Sequence, residues 1–119
     1  PKKHFVGAIG ELTGEAFTGK PLNQIEYSSS DVADLGKNIE CKTSAYDGGW
    51  RLCVNKIGLK NDRIYMLCLS LFWPRYSPLV GWQYGDFIKA SNTFELNWRQ
   101  EPMHWCGWHA LRPMSELVR

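Results

Sequence analysis

The sequence predicts an α+β domain, with a leading helix packed on a central mixed β-sheet. Three observations lead there. Phe5, Ile9, Leu12 and Ala16 recur at intervals of four, three and four, the spacing of one helix face. After residue 38 the chain breaks into short stretches that alternate or run apolar between turn signals, as strands do. The 119 residues, 44% of them apolar, suffice for one hydrophobic core, so residues 1–119 are expected to form a single domain.

In order, the N-terminal helix ends at Thr18-Gly19-Lys20-Pro21, where Gly stops a helix and Pro does not continue it. Gly7, Gly10 and Gly14 each lower helix propensity by about 1 kcal/mol, which points to close packing against another backbone. Residues 23–30 are polar and read as irregular or edge structure, and Leu35-Gly36 carries a turn signal. Ile39 to Lys42 alternates with the period of a strand, so Glu40 and Lys42 share one face and Ile39 and Cys41 the other. Tyr46-Asp47-Gly48-Gly49 is a turn, and Trp50 to Ile57 alternates as a strand. Arg63 to Trp73, apolar and bounded by turns, reads as a buried central strand. Leu79 to Tyr84 is a further strand, Gly85 to Ala90 a short helix, and Trp105 to Leu111 a last short strand. The tail from Pro113 holds about one helical turn.

Composition excludes several classes. No stretch approaches the 18 or so apolar residues of a membrane-spanning helix. The chain starts at Pro1 without Met, and Pro1 to Phe5 lacks the apolar run of a signal peptide; a trimmed or processed end is expected. Cys41, Cys53, Cys68 and Cys106 are widely spaced, most of them in strand-like runs, which suits buried thiols in a reducing cytoplasm rather than a disulfide framework. There is no Gly-rich phosphate loop, no dinucleotide fingerprint and no Cys–His hydrolase signature. His104, Cys106 and His109 give half a zinc site, without a second pair at ligand spacing.

Net charge is only +2, but it is unevenly spread. Glu11, Glu15, Glu26, Asp31 and Asp34 face Lys20 alone in residues 11–34, whereas Arg51, Lys56, Lys60, Arg63 and Arg75 face Asp62 alone in residues 48–85. An acidic segment followed by a basic one suits a metal site beside a phosphate-binding surface.

If the chain folds back at Gly36, Asp34 lands beside Glu40. A Glu-x-Lys triplet by itself also describes an ordinary ion pair on an exposed strand. Together, Asp34, a spacer and Glu40-Cys41-Lys42 resemble the active site of the PD-(D/E)XK nuclease superfamily. Gly7-Ala8-Ile9-Gly10-Glu11 is similar to the first-helix motif that supplies an acidic residue there. Asp62-Arg63-Ile64-Tyr65-Met66, Leu79-Val80-Gly81-Trp82 and Ala110-Leu111-Arg112-Pro113-Met114 resemble strands and a tail of small phage- and bacteria-type members. The resemblance implies a restriction-endonuclease-like fold and a Mg²⁺- or Mn²⁺-dependent deoxyribonuclease, a hydrolase acting on DNA. It implies Asp34, Glu40, Glu11 and the Cys41 carbonyl as metal ligands, with Lys42 orienting the attacking water; Asp31 and Glu15 are the alternates. Hard oxygen ligands of this kind suit Mg²⁺. A branched-DNA resolvase within the same fold stays open, as does a homodimer. The competing class is a non-catalytic nucleic-acid-binding module, in which Trp50, Trp73, Trp82, Tyr84 and Trp98 would stack on bases; core packing is the simpler account of most of these rings.

Overall fold

The computed structural model describes residues 2–18, 38–44, 50–70, 77–91, 94–97 and 99–117, without the side chains of 2–8, 11, 94 and 95. Helix α1 (Lys2–Thr18) leads, and the Gly19-Lys20-Pro21 stop lies outside the described residues. Strands β1 (Ile39–Ser44), β3 (Ile64–Leu69) and β4 (Leu79–Tyr84) form a mixed sheet in the order β1-β3-β4. β1 runs parallel to β3, and β3 antiparallel to β4. Strands β2 (Arg51–Asn55), β5 (Phe94–Leu96) and β6 (Pro102–Gly107) form an antiparallel sheet in the order β2-β6-β5. The architecture is therefore α+β with a leading helix on a mixed sheet, but the strands divide between two sheets rather than joining one. A parallel pair needs a crossover, and here it carries β2 into the second sheet. Helix α2 (Gly85–Ala90) follows β4 directly, and the last strand ends at Gly107, where 3-10 turns at Trp108–Ala110 and Met114–Glu116 take over.

β3 takes Ile64–Leu69 of the expected Arg63–Trp73 strand, whose residues 71–73 lie outside the described residues; it is central and buried on both faces, as an apolar run requires. On one side Met66 packs with Ile39, Cys41, Trp82 and Leu117, and Phe17 of α1 packs against this cluster. On the other, Tyr65 and Leu67 pack with Leu52, Val54 and Cys106 of the second sheet and Ile88 of α2.

The buried side of α1 differs from the expected one. Ile9 is buried, but Leu12 is 54% exposed and Ala16 is exposed, while Gly10, Gly14 and Thr18 are buried. The reason is distance. Gly10 sits against Thr43, and a Cβ at position 10 would overlap the Thr43 hydroxyl and stand 3.2 Å from its Cβ. A helix carrying Leu at this contact would be held farther from the sheet. Within α1, Thr13 donates to the Ile9 carbonyl (2.7 Å) and Thr18 to the Gly14 carbonyl (2.8 Å). None of the four cysteines is disulfide-bonded, and Cys41, Cys68 and Cys106 are buried. No described helix is long and apolar enough to cross a membrane.

Candidate functional site

β1 is an edge strand of its sheet among the described residues, and it carries the site. Ile39 and Cys41 turn into the cluster that α1 covers, so Glu40 and Lys42 occupy the opposite face. The parallel register sets Glu40 beside Tyr65 and Lys42 beside Leu67. The pair thus sits at the sheet edge, on the side occupied by the second sheet.

Glu40 is a carboxylate between two cations. The Lys42 ammonium lies 3.0 Å from its Oε2, and the Arg63 guanidinium donates from Nη1 to its Oε1 over 3.3 Å. The three side chains differ in burial: Arg63 is 5% exposed, Glu40 14% and Lys42 35%. Arg63 is thus the fixed wall, Glu40 is oriented by it, and Lys42 is the member that reaches solvent. Arg63 precedes β3, where its backbone N–H bonds the Lys60 carbonyl (3.2 Å) and its carbonyl accepts from Gly85 (2.9 Å). The guanidinium therefore starts from an anchored stretch of chain. Next to it the Tyr65 hydroxyl accepts from the Lys60 backbone N–H at 3.0 Å. Burial is the main cause that raises the Tyr65 pKa; the Lys60 hydrogen bond opposes it and the Glu40 charge adds to it.

The backbone adds an oxygen. Asn38 O accepts from Ile64 N (2.9 Å) and Ser44 O from Ser70 N (3.0 Å), so even-numbered carbonyls of β1 point towards β3. Alternation turns the Cys41 carbonyl the other way, to the outer edge of β1. Its thiol is buried on the α1 side, as the strand register predicts.

Asp34 and its alternate Asp31 lie outside the described residues, so their approach to Glu40 is not part of this geometry. Position 11 follows Gly10 on α1, which packs on the face of β1 opposite Glu40 and Lys42. The side chain of Glu11 lies outside the described residues. Among the described residues, no three His, Cys, Asp or Glu side chains converge to hold a metal. This covers the His104, Cys106 and His109 half site, since Cys106 is drawn into the core beside Leu52 while His109 is exposed.

The sequence does not single out Arg63 as a site residue, because its link to Glu40 spans 23 positions. Its only local signal is position: it opens the strand that a Glu-x-Lys strand would pair with. The aromatic residues also sort differently from the stacking set. Trp82 is 3% exposed and donates its indole N–H to the Pro113 carbonyl (3.0 Å), and Trp50 packs against the second cluster. Tyr84 is 37% exposed; Trp73 and Trp98 are outside the described residues. No protein-family model, curated protein or solved structure matches the chain.

Proposed function

We propose that this chain is a metal-dependent deoxyribonuclease of the PD-(D/E)XK type, with a restriction-endonuclease-like core, that hydrolyses DNA phosphodiesters. The observation that carries the reading is the Glu40–Lys42 contact of 3.0 Å on one face of an edge strand, with the Cys41 carbonyl turned to the same edge. Carboxylate and carbonyl oxygens are the hard donors that Mg²⁺ or Mn²⁺ takes. Asp34 and Glu11 would complete the set.

Bound there, the ion supplies neutralisation of the phosphate and a lowered pKa for a water. The chain's own residues do the remainder. Arg63 holds one oxygen of Glu40, which fixes where the other points. Lys42 lies on Oε2 of Glu40, so Glu40 would hold a metal through that oxygen only with Lys42 displaced from it. Lys42 is the most exposed of the three, and its ammonium would orient the attacking water and counter the negative charge that builds on the phosphoryl oxygens.

The test is cleavage of linear, supercoiled and branched DNA with Mg²⁺ or Mn²⁺, alongside calorimetric Mn²⁺ titration. Lys42→Ala should lower turnover by roughly 10²–10⁴-fold with Mn²⁺ binding retained. Glu40→Ala and Asp34→Ala should lose cleavage and metal binding together, and Asp31→Ala neither. Wild-type turnover by Lys42→Ala removes its role. DNA binding without cleavage of any substrate moves the chain to the binding-module class.

A further inference from the structure

The outer face of the second sheet carries a group of rings and cations that the cleavage site does not use. Leu52, Val54 and Cys106 turn inward to the core, so Arg51, Cys53, Met103, Trp105 and Gly107 turn outward. The Arg51 guanidinium lies 4.1 Å from the centre of the Trp105 ring, a stacked cation–π contact. At the same end, a Cβ added to Gly107 would stand 2.9 Å from the His109 imidazole. The absence of a side chain at 107 lets that ring lie against the outer face. Trp108 meets His109 edge to face, with ring centres 5.8 Å apart, and is 54% exposed. Arg51 and His109 are exposed as well.

β2 carries Arg51 and no acidic residue. A group of aromatic rings beside an exposed guanidinium is suited to unpaired bases, which stack on aromatic and guanidinium planes while their phosphates seek positive charge. A duplex, with its bases already stacked, offers nothing for Trp108 to cover.

We propose that the Arg51, Trp105, Trp108 and His109 end of this face is a stacking platform for unpaired bases of single-stranded DNA. It deepens the DNA reading above and rests on it for the choice of nucleic acid.

The experiment measures anisotropy of a fluorescein-labelled oligo-dT, and of a duplex of equal length, with the full chain in EDTA, so that cleavage plays no part. Oligo-dT should bind more tightly than duplex. Trp108→Ala, at an exposed position that should not disturb folding, should weaken oligo-dT binding roughly tenfold, and Trp108→Phe should restore most of it. Arg51→Ala should weaken binding and flatten its salt dependence. Equal affinity of Trp108→Ala and wild type for oligo-dT overturns the platform, as does duplex binding that matches oligo-dT. A Trp108→Ala variant that loses self-association in sedimentation but keeps oligo-dT binding also overturns it, by assigning the face to a second copy of the chain. Cleavage of duplex DNA without oligo-dT binding removes the platform and leaves the nuclease; oligo-dT binding without cleavage does the reverse.

Discussion

Replacing Arg63 with Met removes one of the two cations on Glu40 while keeping most of the buried stem. Breaking a fully buried ion pair by deleting one partner costs about 3–5 kcal/mol, chiefly by leaving a charge without compensation. Glu40 is not in that position. It is 14% exposed and keeps Lys42 at 3.0 Å, so the cost should fall to about 2 kcal/mol. For a domain of this size that is a loss of roughly 6–10 °C in Tm. Glu40→Gln, which removes the negative charge, should make the second change cheaper. In a double-mutant cycle measured by urea unfolding, Arg63→Met and Glu40→Gln should couple by about 1–2 kcal/mol. The cycle matters because Arg63 has other interactions, which cancel in the coupling energy. A cost for Arg63→Met below about 0.5 kcal/mol, or an additive double mutant, would refute the view that Arg63 orients Glu40.

Two further outcomes follow from packing and burial. Gly10→Ala should cost about 1–3 kcal/mol in urea unfolding, because the new Cβ meets Thr43 and stands 3.6 Å from the Cys68 Cβ; adding Thr43→Ala should recover part of that loss, and full stability of Gly10→Ala alone would show that α1 stands off the sheet. Burial pushes the Cys106 thiol from 9.0 up to about 11, so between those values the unfolded chain gives up its proton first; stability should be retained below pH 9 and fall as pH rises towards 11, and the urea midpoint of Cys106→Ala should fall less over that window.

What could be read from the sequence were the features set by neighbours in the chain. Alternation alone places Glu40 and Lys42 on one strand face, and Cys41 on the other, because successive side chains of a strand diverge. The apolar run from Arg63 is a central strand because only a strand covered on both faces tolerates it. The short helix from Gly85 to Ala90 is likewise local. The tertiary structure decided whatever depended on partners far along the chain. The side of α1 that faces the sheet is set by how closely Gly10 can approach Thr43, so the apolar stripe through Leu12 is overruled. The division into two sheets follows from β2 pairing with β6, a contact between segments some fifty residues apart that periodicity does not encode. The same pairing turns Trp105 and Arg51 outward, while Trp82 goes into the core, although all three stand in strand-like sequence. Arg63 joins Glu40 for the same reason. An ion pair between strands depends on register, and register is set when the buried faces of β1 and β3 align.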